Sequence, residues 1–149
     1  MPSISNFSDF DPLDNEESLL IEWVSESQNL NKYDFIILPG SKQTIKDQIF
    51  LENSGLSQDI KEYSNSNGNI VGICGGLQML GTVLEDPYSK EGSKNYSEQK
   101  TKGIGLLPLK TTFLQKKLTR QISSESLWPC KSKIYGFEIH NGKTKLDRE

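Results

Sequence analysis

The run Asn69-Ile70-Val71-Gly72-Ile73-Cys74-Gly75-Gly76-Leu77-Gln78-Met79-Leu80-Gly81 changes its hydrophobic period halfway. Ahead of Cys74 it is a short, apolar, β-branched stretch. Beyond Cys74, Leu77, Met79, Leu80 and Leu84 recur at spacings a helix can present on one side. Strand, sharp turn, helix is the order that follows, and Cys74 stands at the tip of the turn, a nucleophile elbow. A residue at such a tip occupies strained backbone space. Neighbours without a Cβ, here Gly72, Gly75 and Gly76, let strand and helix approach while the tip side chain faces outward.

Position gives Cys74 its chemistry. At the start of a helix, unpaired N–H groups and the helix dipole stabilise a thiolate. The same N–H groups can hold the oxyanion that develops in acyl transfer, with Gly75 the donor next to the nucleophile. A lone cysteine in an apolar strand–turn also occurs as a small buried hydrophobe; the surrounding glycines, and Gln78 one turn on, favour the nucleophile.

Working upstream, residues 33–38 form a continuous apolar run that stops at Pro39-Gly40-Ser41. Such a run suits a parallel strand covered on both faces, and the carboxyl end of such a strand is where a doubly wound sheet places ligands. Gly40 there either offers a backbone N–H toward the Cys74 turn of a neighbouring strand or belongs to an ordinary strand-to-loop turn. Gly40-Ser41-Lys42 lacks the GxxxxGK[ST] frame of a phosphate loop. Residues 44–52, with Ile45, Ile49 and Phe50, read as an amphipathic helix ending near Asn53-Ser54-Gly55. Residues 56–64, with Ile60 and Tyr63, read as a second helix, and polar residues 65–69 lead into the Cys74 strand. Strand, helix, strand, helix predicts an α/β domain with a parallel sheet and right-handed crossovers. Nearer the start, residues 3–7 read as a short strand and residues 8–13 as a turn. Residues 19–24 are apolar enough for a buried strand or for a short helix followed by one. Because the chain begins almost inside a strand, something is expected to precede Met1 in the parent protein or to have been lost.

Working downstream, residues 85–102 are polar, hold Pro87 and Gly92 and lack apolar periodicity, so a long surface loop is expected whose charges serve solvation. Residues 103–109 begin a new apolar element, read as a strand running through Thr111-Thr112-Phe113. Lys116, Lys117 and Arg120 form a small basic patch of the kind usually solvated. Residues 132–139 read as another strand, which brings Glu138 and His140 to one face by period-two alternation before Asn141-Gly142 turns. His140 is the only histidine, so any Cys–His chemistry within the chain would have to use it.

Composition narrows the classes. A chain of 149 residues with a formal net charge of −3 suits one domain and gives no reason to expect nucleic acid as a partner. Cys74 and Cys130 lie far apart without CxxC spacing, which implies neither a disulfide framework nor a metal site. The N-terminus has no basic-then-apolar pattern, and no apolar run is long enough for a bilayer. A cytoplasmic domain with reduced thiols and no membrane partner is expected.

The motifs together resemble a known family. Gly72-Ile73-Cys74-Gly75-Gly76-Leu77-Gln78-Met79-Leu80-Gly81 resembles the nucleophile motif of class I (triad) glutamine amidotransferases of the cobyric acid synthase type. Ile4-Ser5-Asn6-Phe7 with Asp9-Phe10-Asp11-Pro12-Leu13 is similar to the opening of that glutaminase domain, and Leu38-Pro39-Gly40-Ser41-Lys42 with Thr44 to its oxyanion-loop segment. Residues 103–108, Thr111-Thr112-Phe113 and Gly136-Phe137-Glu138-Ile139-His140-Asn141-Gly142 complete the series over nearly the whole chain.

The resemblance implies a three-layer, flavodoxin-like α/β fold with a mostly parallel central sheet, its C-terminal part missing. It implies glutamine hydrolysis, the ammonia passing to a synthetase domain that uses ATP and magnesium to amidate corrin carboxylates on the way to vitamin B12. By analogy Cys74 attacks the amide, Gly40 and Gly75 supply oxyanion N–H groups, and Gln78 shapes the substrate pocket. No cofactor is expected in the glutaminase domain itself, and the synthetase domain and its P-loop are expected to be absent. The family's catalytic histidine lies in a later Gly-Thr-Tyr-Leu-His-Gly type motif that residues 1–149 do not reach. His140 matches an earlier motif, where it is either the base or a histidine positioned by hydrogen bonds, and Glu138 is its structural or pocket partner. Residues 1–149 alone are therefore expected to be weakly active. Sister families amidate cobyrinic acid or a lipid-linked cell-wall precursor, and a docking module without catalysis is the reading from another class.

Overall fold

A computed structural model describes residues 1–92 and 99–147 of the chain. After a 3-10 turn at Phe7–Phe10, the short helix α1 (Asp11–Asp14) begins with Pro12 in its first turn, where a missing N–H costs nothing. Strands β1 (Phe35–Leu38) and β2 (Asn69–Gly72) pair in parallel, Phe35 opposite Asn69 and Leu38 opposite Gly72. Parallel neighbours need a long crossover, and α2 (Thr44–Asn53) and α3 (Leu56–Asn65) provide it. The short α4 (Gly75–Met79) follows β2 directly.

A second sheet has the order β4-β3-β5-β6, built from β3 (Val83–Glu85), β4 (Lys100–Lys102), β5 (Leu109–Glu125) and β6 (Lys133–Leu146). In it β3 runs parallel to β5 and antiparallel to β4, and β5 and β6 form a long antiparallel hairpin with a register shift between Phe113 and Leu118. The alternation of strands and helices thus builds the α/β class that the sequence predicts, with parallel pairs β1–β2 and β3–β5.

One core joins the two sheets. Thr44, Ile45, Gln48 and Leu51 recur at helical spacing on the buried side of α2, and Leu56, Ile60 and Tyr63 do so on α3. Of these, Ile45, Leu51, Leu56, Ile60 and Tyr63 pack with Leu38, Met79, Leu80, Leu84, Ile104 and Phe113. The Tyr63 hydroxyl donates to the Tyr33 carbonyl at 3.1 Å and ties α3 to the start of β1. Ile36 and Ile70 pack on this core, whereas Phe35, Val71 and Ile73 are exposed. Among the described residues the helices therefore cover one face of the β1–β2 pair, and not both as the apolar run predicts.

Other departures have local causes. Residues 3–7 form no strand: a single antiparallel bridge joins Ile4 to Ser41, and the chain then turns at Phe7. Residues 19–24 are neither strand nor helix; Leu20 is exposed, and Trp23 holds the segment through its ring contacts with Phe7 and Phe10. The helix after Cys74 ends at Met79 and does not continue to Leu84, because its last carbonyls find other donors. Ile104 N–H bonds Met79 O at 2.7 Å, and Leu106 N–H and Gly105 N–H bond Leu80 O and Gly81 O. Residues 103–108 accordingly form a turn, and the strand begins at Leu109. Asn141-Gly142 continues β6 and makes no turn, held by pairing of Gly142 with Phe113.

Close approach of α4 to β1 is the tightest constraint on this architecture. A Cβ on Gly76 would lie 2.0 Å from the Leu38 carbonyl oxygen, whereas one on Gly136 would meet nothing within 4 Å. Gly76→Ala is expected to lower unfolding stability in urea by about 2–3 kcal/mol, and Gly136→Ala to change it by less than about 0.5 kcal/mol. Equal effects would contradict the packing.

Candidate active site

The Ile73 N–H donates to Leu38 O at 2.9 Å, so β2 stays paired with β1 up to the residue before Cys74. Cys74 then takes φ 50° and ψ −106°, a conformation that costs a non-glycine residue of order 1–3 kcal/mol. Helix α4 starts at once, with Gln78 N–H donating to the Cys74 carbonyl at 3.1 Å. The side chain of Cys74 is exposed and unpaired. Strain and exposure at a strand–helix tip are what the elbow predicts, and burial as a small hydrophobe is not what is found.

Cys74 lines a cavity of about 410 Å³ whose walls also include Gln78, Ser41, Thr44, Lys117 and His140. Gly40 faces the elbow: a Cβ built on it would stand 3.8 Å from the Cys74 Cβ. Gly75 lies against the same loop, where a Cβ would be 2.9 Å from the Ser41 nitrogen. The N–H groups of Gly40 and Gly75 carry no hydrogen bond among the described residues. Two free backbone donors beside an exposed thiol are the elements of an oxyanion site.

The loop that presents Gly40 is pinned by a residue that sequence patterning passes over. Asp47, fully buried on α2, accepts from Ser41 Oγ at 2.7 Å and from Ser3 N–H at 3.1 Å. Ser5 N–H donates to Gly40 O, and Lys42 N–H to Ser3 O. The N-terminal segment and the Gly40 loop thus hold each other in place.

Glu138 and His140 meet on one face of β6, as the alternation predicts, and of the two His140 lines the cavity. His140 Nε2 is 2.7 Å from Glu138 Oε1, and its Nδ1 is 2.8 Å from the Gly142 carbonyl. Both partners are acceptors, so the ring serves both only by donating from both nitrogens. Gly142 in turn abuts Gln78: a Cβ there would lie 2.5 Å from Gln78 Nε2. The same Glu138 accepts from Arg120 Nε. Arg120 is therefore paired, while Lys117 from the same basic run lines the cavity.

Residues 85–102 are not uniformly a solvated loop. Asp86 and Glu91 are buried, and β3 and β4 occupy its ends; residues 93–98 lie outside the described residues. A larger apolar cavity of about 590 Å³ lies between residues 19–24 and β1, and among the described residues no thiol or imidazole lines it. Among the described residues no three His, Cys, Asp or Glu side chains converge as a metal site. No helix there is long and apolar enough to cross a membrane.

A family model described as CobB/CobQ-like glutamine amidotransferase domain matches residues 1–149. A protein named Cobyric acid synthase from Prochlorococcus marinus (strain MIT 9301) is 81% identical over 147 residues, 99% of this chain and 29% of the relative. Its namesake in strain AS9601 is 83% identical over 146 residues, 98% of this chain and 29% of the relative. A more distant namesake, from strain NATL2A, is 48% identical over 146 residues, again 98% and 29%. The chain spans 29% of the length of these curated relatives.

Hydrogen bonds from His140 first, and from Arg120 next, hold the Glu138 carboxyl below its ordinary value of 4.5. A carboxyl depressed in this way stabilises the hairpin at neutral pH, and the contribution is lost as pH falls below that value. His140→Ala removes the larger cause, so Glu138 is expected to titrate at higher pH in carboxyl-resolved NMR. An unchanged titration would contradict the contact.

Proposed function

The chain belongs to the CobB/CobQ-like glutamine amidotransferase family, and from that premise we propose that its Cys74 cavity hydrolyses glutamine. The observation that carries the reading is the strained, exposed Cys74 between two unengaged backbone donors, Gly40 and Gly75. In this reading the Cys74 thiolate attacks the side-chain amide carbon, and the negative charge moves to the amide oxygen, where the Gly40 and Gly75 N–H groups receive it. As the intermediate collapses, the amide nitrogen takes a proton from water, the C–N bond breaks to release ammonia, and a glutamyl thioester remains. Water then cleaves the thioester, releasing glutamate and restoring the thiol. Gln78, wedged against Gly142, shapes the wall where the substrate lies.

His140 is assigned a positioning role. Its two nitrogens face two acceptors, and no ring lone pair is free for a thiol proton while both contacts hold. Without a free base to move protons, the thiolate still attacks the amide, but protonation of the departing nitrogen and deacylation are slow. The shared name of the relatives supports corrin carboxylates as the acceptor of the ammonia, within a longer protein. In this reading ATP and magnesium act at a synthetase domain of the longer protein, and Gly40-Ser41-Lys42 is out of frame for a phosphate loop. Two unpaired cysteines fit a reducing compartment, the cytoplasm.

A diazoketone analogue of glutamine is expected to alkylate Cys74 and not Cys130, read by peptide mass spectrometry, with no labelling in Cys74→Ala. Glutamine turnover by residues 1–149 alone is expected to be slow. Labelling at Cys130 or at neither cysteine would contradict the nucleophile assignment, and brisk turnover abolished by His140→Ala would contradict the positioning role.

A further inference from the structure

Among the described residues Glu91 is the only carboxylate lining the Cys74 cavity, and it is 8% exposed. Its Oε2 accepts both the Thr44 N–H and the Thr44 Oγ–H, each at 3.0 Å, which makes it the cap of α2 from 47 positions away in the chain. The residue at the N-cap position itself, Gln43, makes no side-chain cap bond. The turn carrying Glu91 is fixed by Asp86, whose carboxylate accepts from Lys90 N–H at 2.7 Å and Glu91 N–H at 2.8 Å. Glu91 Oε1 has no hydrogen-bond partner among the described residues. A carboxylate this buried, with one oxygen saturated and the other unengaged at a cavity wall, is poised for a cationic donor.

We propose that Glu91 binds the α-ammonium group of glutamine, a step that rests on the glutaminase reading above. Free glutamine is a zwitterion, so a site that selects it needs one anion and one cation besides the machinery for the amide. The cationic side chains on the same walls are those of Lys42 and Lys117. Neither can accept from an ammonium, and both complement the α-carboxylate. Because Oε2 is held by Thr44 at the start of α2, and α2 also carries the Asp47 that pins the Gly40 loop, the ammonium contact is fixed relative to the oxyanion donors. Selectivity for an amino acid over a simple amide follows, since a site built around a buried charge rejects a molecule that leaves it unpaired.

Cys74 labelling by the diazoketone analogue is compared with labelling by the same analogue lacking its α-amino group, in the wild type and in Glu91→Gln. The glutamine side chain keeps an oxygen for Thr44 and so keeps the cap, but it loses the charge. The expected result is a roughly 10- to 100-fold weaker half-saturation for the amino analogue in Glu91→Gln. Its limiting labelling rate and the behaviour of the des-amino analogue are expected to stay as in the wild type. An equal change for both analogues, or no change, would assign Glu91 to capping alone and overturn the proposal. As a test without a variant, glutamine is expected to protect wild-type Cys74 at far lower concentration than glutaramate, which lacks the α-amine; equal protection overturns the proposal. If neither analogue labels wild-type Cys74, the glutaminase reading itself fails.

Discussion

The Leu38 carbonyl oxygen is the point on which the site depends. It accepts the Ile73 N–H at the end of β2 and leaves no room for a side chain on Gly76. Between those two contacts the chain must reverse from strand to helix in the space of Cys74 and Gly75, and the positive φ at Cys74 is the consequence. A single carbonyl at the end of β1 thus fixes the direction of the thiol. The residues that follow Leu38 form the loop that presents Gly40 to it.

Packing holds this arrangement from both sides. Behind the elbow, Met79 and Leu38 share a core with α2, α3 and the second sheet, so a shift of α4 would open apolar contacts throughout the domain. In front of it, polar contacts of long sequence separation position the walls. Asp47 ties Ser3 to Ser41, Glu91 ties the residues after β3 to the start of α2, and Gly142 sets β6 against Gln78. Buried carboxylates hold their donors strongly at short range, but each costs desolvation unless fully partnered. Asp47 has a donor on each oxygen, whereas Glu91 leaves one oxygen unengaged.

The sequence makes the local part of this readable and the non-local part opaque. Strands β1 and β2 and helices α2 and α3 stand out because apolar runs meet Pro39, Gly40, Gly55 and Gly68, and the Cys74 elbow because its glycines flank a period change. The length of α4 does not: Leu80 and Leu84 fit a helical pattern, yet the helix stops where residues 104–107 supply donors to its carbonyls. Residues 19–24 look apolar enough to pair, but the described fold gives them ring contacts in place of a ladder. Asp86 and Glu91 look like solvated charge because their partners are either in a turn or on another element. Glu138 and His140 were legible through period two, while the carbonyl that occupies the second ring nitrogen was not.

A crystal structure of Cys74→Ala with glutamine tests the central claim most directly. The account predicts the side-chain amide over residue 74, its oxygen within hydrogen-bonding distance of the Gly40 and Gly75 nitrogens and its body against Gln78. Glutamine bound elsewhere, or bound in this cavity with its amide turned away from those two nitrogens, would contradict it.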